Sequence, residues 1–229
     1  MPILIKTKMK NSEDNTNPSI NVENINYIMG NYDFLKREFI GKALEAEYRN
    51  AAEAATPADF IQNDTCLHAL LLSEIMFDRT ENSIRIFSGS NVAKFLSTIK
   101  DSFRKACENI VSHNGKVRII TTVSHENAAN TRTELKAFAD GIRKGIKDKF
   151  QREIDLWCAC YRADAKELAA LPHYIACDSK MLRLEAAHAP LTGKENAGII
   201  KANVYFNSPR TTEKFEAYFD KIYNNITGR

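Results

Sequence analysis

His173-Tyr174-Ile175-Ala176-Cys177-Asp178-Ser179-Lys180-Met181-Leu182-Arg183-Leu184 is the stretch on which the fold is decided. Two short apolar runs flank Asp178-Ser179-Lys180, and aspartate and serine favour turns because their side chains bond the nearby backbone. The stretch therefore reads as a β-hairpin. In its second strand Arg183 and Glu185 alternate with Leu182 and Leu184. That is the pattern of a strand with one wet face.

Working outward, Lys201 to Phe206 reads as a further strand and Thr211 to Ile226 as a closing amphipathic helix with Phe215, Tyr218, Phe219 and Ile222 on one side. Upstream, Ile154 to Cys160 is expected to be a strand, 126–149 a long helix, and Lys116 to Val123 a second strand. Before them, 91–112 reads as a helix with Ala93, Leu96, Ile99, Phe103, Ala106 and Ile110 on one face, ended by Asn114-Gly115. Ser83 to Phe87 is the first strand of the series, with Ser88-Gly89-Ser90 as its exit and Ser90 placed to cap the next helix. Strand, helix, strand, helix, strand is the order of an α/β domain with a mixed, largely parallel sheet flanked by helices.

The N-terminal third differs. Residues 32–54 and 57–77 read as two helices, the second starting at Thr56-Pro57-Ala58-Asp59. They are expected to form a helical layer over 31–79, ahead of an α/β domain at 80–229. Residues 1–30 carry Lys6, Lys8, Lys10 and the polar run Asn11 to Asn17, and are expected to be a flexible segment.

Composition narrows the class. Apolar residues make up 44%, and the longest apolar stretch, Leu67 to Phe77, is interrupted by His68, Ser73 and Glu74. No run reaches the roughly 20 residues that a membrane span needs. Met-Pro-Ile-Leu-Ile-Lys has no signal-peptide pattern, so a cytoplasmic location is expected. The cysteines are Cys66, Cys107, Cys158, Cys160 and Cys177, an odd number without disulfide or zinc spacing. Neither a metal nor another cofactor is expected. The net charge of +3 excludes a strongly basic nucleic-acid binder.

Taken together, the order of elements and the local words resemble a phospholipase D-like domain of the HKD superfamily over about residues 80–226. Members carry H-x-K-x4-D on a hairpin, then G-S-x-x-N, and many close with an Asn-bearing strand and a helix like Phe206-Asn207-Ser208-Pro209…Phe215…Phe219. The resemblance implies a histidine nucleophile that forms a phosphohistidine, a lysine that balances the phosphate, and two motif copies brought together. Aligned on Asp178, the lysine position holds His173 and the nucleophile position Leu171. The glycine, serine and asparagine positions hold Glu185, Ala186 and Ala189, next to His188. Leucine cannot attack phosphorus. The resemblance thus implies a degenerate motif on a non-catalytic protein, an interaction or regulatory subunit of a nucleic-acid-processing or bacterial defence-type assembly. The partner is expected to be another protein or a second copy of the chain.

The alternative is a divergent homodimeric phosphodiesterase or nuclease with His173 and Asp178 in its site. Asp155, Asp178 and Lys180 also match the spacing of a metal-dependent nuclease word, two carboxylates for Mg²⁺ and a lysine for the water. His173, Asp178, Glu185 and His188 are candidates for a cluster that binds a metal or phosphate, with Lys180 beside it. Arg132, Lys136, Arg143 and Lys147, with Lys144, Lys149 and Arg152, give the 126–149 helix a basic face suited to a nucleic-acid backbone.

Overall fold

The computed structural model of the protein describes residues 22–52, 58–186 and 201–228. Its elements are α1 (Val22–Ala52), β1 (Phe60–Asn63), α2 (Cys66–Asp78), β2 (Ser83–Ser88), α3 (Val92–Thr98), α4 (Lys100–Ser112) and β3 (Lys116–Val123). They continue with α5 (Ala128–Phe150), β4 (Asp155–Arg162), α6 (Ala165–Ala170), β5 (Tyr174–Cys177), β6 (Met181–Glu185), β7 (Ala202–Tyr205) and α7 (Pro209–Thr227). Residues 35–229 form one compact unit, and residues 1–34 another, of which the described part is the start of α1. Among the described residues no helix is long and apolar enough to cross a membrane.

A single mixed sheet runs β1-β7-β6-β5-β2-β3-β4. The three strands of the alternating segment, β2, β3 and β4, are parallel. The other four neighbour pairs are antiparallel, so the parallel share is confined to that block. The reason is in the connections. Helices α3 and α4 join β2 to β3 and the 23-residue α5 joins β3 to β4, which permits crossovers, whereas a tight turn joins β5 to β6.

One face of the sheet is covered by α7. Phe87, Ile120, Tyr174 and Leu182 pack there with Phe219 and Ile222. Arg85 crosses from β2 to bond Glu216 (2.8 Å) and Asp220 (3.1 Å) of α7. The opposite face lies against α2, α4 and α5, with Ile84, Ile86, Val117 and Ile119 fully buried.

Three local readings are corrected. The helix expected over 57–77 is a strand followed by a shorter helix. Thr56-Pro57 lies outside the described residues, and helix α2 starts instead at Thr65, whose side chain accepts from His68 N. Phe60–Asn63 is drawn into the sheet by pairing with β7, the Phe60 ring lying tilted against Tyr205 at 5.6 Å. The helix expected over 91–112 breaks at Ile99, which leaves helical backbone angles, yet Ala93, Leu96, Ile99, Phe103, Ala106 and Ile110 are all buried as one face. Ser90 does not cap α3; Asn91 holds that position without a side-chain bond. The short helix α6 was not anticipated, although Asp164 caps it by accepting from Glu167 N at 2.8 Å.

The hairpin forms as read. Asp178 and Ser179 have φ of +53° and +54°, a conformation that aspartate tolerates better than most residues. The Asp178 carboxylate accepts from the backbone N–H of Glu81, Asn82 and Ser83, each at 2.8 Å. At Gly115 no side chain fits, because a Cβ would lie 1.9 Å from Asn82 O.

Asp178→Ala strands three donors at the start of β2 and is expected to cost about 2–3 kcal/mol in urea unfolding; an unchanged midpoint would contradict the clamp. Burial pushes the thiols of Cys107 and Cys177 up, and that of Cys158 up to about 12. Burial raises the Cys160 thiol as well, but Cys160 is only partly buried, and the thiolate is the reactive form, so iodoacetamide at neutral pH should label Cys160 ahead of all three in the folded protein. Because these thiols titrate higher folded than unfolded, stability should fall as pH rises above about 8.5.

Candidate functional site

Strand register places His173 opposite Glu185. Tyr174 pairs with Leu184 and Ile175 with Arg183, and one step further out Glu185 N donates to His173 O at 2.8 Å. The two side chains meet at this open end of the hairpin, His173 Nδ1 lying 3.4 Å from Glu185 Oε2. Arg183 is two residues before Glu185 and so projects from the same face. Its Nη1 donates to Glu185 Oε1.

These three side chains form the floor of a cavity of about 650 Å³. Its walls come from α2 (Leu70), the end of β2 (Ile86, Ser88), α3 (Val92, Phe95), the end of β3 (Thr122, Val123) and α6 (Leu168). Parallel strands β2 and β3 both end here, the usual place for a site in a sheet with parallel strands. Gly89 matters to its shape. A Cβ there would meet His173 Cε1 at 3.3 Å, so a larger residue would push the imidazole.

Arg183 is 3% exposed, and the ring of Phe95 lies 5.9 Å from its guanidinium carbon. Its Nε is buried and has no hydrogen-bond partner among the described residues. The reading of Arg183 and Glu185 as a wet face is therefore corrected. Helices α2 and α3 roof this face, and the sequence spacing of the strand carries no sign of that cover. Arg183, Phe95 and Thr122 are the site residues that sequence reasoning missed. The one available signal was an arginine and a glutamate on the same strand face as a histidine.

Thr122, His173 and Glu185 lie in the order of a nucleophile, base and orienting acid. The Thr122 hydroxyl, however, is given to Ser88 O at 3.3 Å, and His173 Nε2 is 3.5 Å from Thr122 Oγ1. A hydroxyl committed to a carbonyl is not activated by the imidazole.

The other candidates are dispersed. Asp178 lies at the turn, the far end of β5 from His173, about 15 Å along the strand. Its oxygens are taken by backbone N–H groups. Lys180 leaves the same turn, its carbonyl accepting from Ser208 N at 2.7 Å. Asp155 is on β4, three strands away from Asp178, and pairs with Arg118. The Asp155–Asp178–Lys180 group is not assembled. Among the described residues, no three His, Cys, Asp or Glu side chains are grouped to hold a metal. His188 lies outside the described residues.

The basic face of α5 is largely paired. Lys136 and Arg143 both bind Asp140, and the Lys136 bond leads the effects that hold its carboxyl below the usual range. Arg143 also donates to Leu156 O at 2.6 Å. Lys147 pairs with Glu153 at 3.0 Å and Lys149 with Glu108 at 2.6 Å. Arg132, Lys136 and Arg143 line a shallower hollow of about 380 Å³ beside Trp157 and Cys158, remote from His173.

No protein-family model and no curated protein matches the chain. Among solved structures it is similar to TrmBL2, described as an archaeal chromatin protein with a novel mode of DNA binding, at 14% identity and a TM-score of 0.47, over 87% of this chain and 67% of that one. It is also similar to Nuc from Salmonella typhimurium, a phospholipase D family member, at 16% identity and 0.44, over 72% and 94% of the two chains. NucT from Helicobacter pylori is similar at 14% identity and 0.41, over 72% and 97%. All three likenesses concern the overall fold, with TM-scores below 0.5.

The Arg183–Glu185 pair makes a measurable prediction. Arg183→Met leaves a carboxylate in a nearly buried place and should cost about 3 kcal/mol. The double variant Arg183→Met/Glu185→Gln should cost less than the sum of the single changes by about 1–3 kcal/mol in denaturant unfolding. Strict additivity would mean that the two side chains do not support each other.

Proposed function

We propose that this chain is a non-catalytic phospholipase D-like protein that acts by binding, as an interaction or regulatory subunit, with the cavity over Arg183, Glu185 and His173 as its ligand site. The observation that carries the reading is Leu171. It stands at the nucleophile position of the resembled motif, is 9% exposed, and packs in the apolar cluster with Leu168, Tyr174 and Phe219. No group there can attack phosphorus. The lysine position holds His173, which faces Glu185 instead of supplying a fixed positive charge.

The setting that the motif resemblance suggests is a nucleic-acid-processing or defence-type assembly, reached through another protein or a second copy of the chain. The ion-paired state of α5 speaks against that helix as a bare track for a nucleic-acid backbone.

One observation favours the second reading, a divergent phosphodiesterase. His173 borders an open cavity and has a carboxylate at Nδ1, as an oriented histidine nucleophile would. The two readings separate in one assay. The purified chain and its His173→Ala variant are incubated with single-stranded DNA, supercoiled DNA and bis(p-nitrophenyl) phosphate. We expect no turnover that His173→Ala removes. Turnover lost in that variant would establish the enzyme and end the non-catalytic reading.

A further inference from the structure

We infer that the cavity over Arg183 takes a small, mainly apolar carboxylic acid, with its carboxylate on the Arg183 guanidinium. This rests on the reading of the cavity as a binding site and goes further by naming the ligand class.

The volume of about 650 Å³ lies within the range of small-molecule sites. Its walls are mostly apolar: Leu70, Ile86, Val92, Phe95, Leu168 and Ile175. Such walls favour an alkyl or aryl body and disfavour a polyol, whose hydroxyls would lose water without gaining partners. The polar groups gather on the floor and at one rim. Arg183 has five N–H donors, of which Nη1 is used by Glu185 and the buried Nε has no partner among the described residues. A buried donor without an acceptor is costly, and a planar two-oxygen acceptor fits the guanidinium edge. The Phe95 ring and the Glu185 bond hold that guanidinium in place before any ligand arrives.

Charge selects among head groups. Glu185 is engaged by Arg183 and faces His173, which leaves little for a cationic ligand to neutralise. Lys94 of α3, exposed on the lining of the same cavity, adds a second positive charge. The balance favours an anion. The Glu185 carboxylate in the same floor penalises a second negative charge, so a monoanionic carboxylate suits the floor better than a phosphate monoester.

The test uses matched probes on the full chain by titration calorimetry: octanoate and 4-phenylbutyrate, their neutral amides, and octyl phosphate. Saturable binding of a carboxylate is expected, with its amide about ten- to a hundredfold weaker. Arg183→Met should weaken the carboxylate by a similar factor and leave the amide unchanged. Arg183→Lys, which keeps the charge but not the planar edge, should fall between. Leu70→Trp narrows the cavity without altering the floor and should abolish binding of acid and amide alike. Equal binding of acid and amide, undiminished binding by Arg183→Met in a folded variant, or no binding of any probe would overturn the inference. Tighter binding of octyl phosphate would overturn the carboxylate assignment and leave the binding role standing. Phosphodiester turnover that depends on His173 would instead overturn the reading on which it rests.

Discussion

The clamp between Asp178 and the start of β2 is the constraint on which the rest of the domain depends. One carboxylate holds three consecutive backbone N–H groups, and Asp178 N in turn donates to Ser83 O at 3.0 Å. The bonds fix the hairpin turn to one end of β2. Because strand pairing is periodic, a hairpin pinned at one end has its whole register set. Ile84 faces Cys177, Phe87 faces Tyr174, and His173 arrives beside Gly89 at the other end. A carboxylate at the turn thus positions a cavity about 15 Å away without touching it.

The two faces of the hairpin put charge to different uses. On the α7 face, Arg85, Glu216, Asp220 and Ser179 form a network in which Glu216 accepts from both Arg85 and Ser179. Those partners satisfy one another, and the network ties the closing helix to β2 and to the turn. On the other face, Arg183 is as well buried but its Nε is left over. Buried charge that is fully paired is structural at little net gain. Buried charge with a donor to spare, bordering a cavity, leaves that donor open to an acceptor in the cavity.

How much of this was legible in the sequence follows from how local each signal is. The hairpin, the parallel strands β2 to β4 and the helix α7 were readable because their own residues carry the period and the turn. Strand β1 was not. Phe60 to Asn63 is short and sits next to a strong helix signal, and only pairing with β7, about 140 residues later, makes it a strand. The break at Ile99 was invisible for a related reason, since the buried face runs through it unbroken. Arg183 was misread as solvent-facing because alternation reports which residues share a face, not what covers that face.

The same register sets the neighbours of His173. Positions five before and seven after Asp178 are opposite each other in this hairpin, so the lysine and glycine places of the resembled motif are cross-strand partners. There His173 turns its Nδ1 toward Glu185, while Arg183 bonds the other carboxylate oxygen. Leu171 is turned into the apolar cluster, where it serves packing. These contacts are mutually dependent: Glu185 is bonded by Arg183 and faces His173, and together they form a charged floor under a largely apolar cavity.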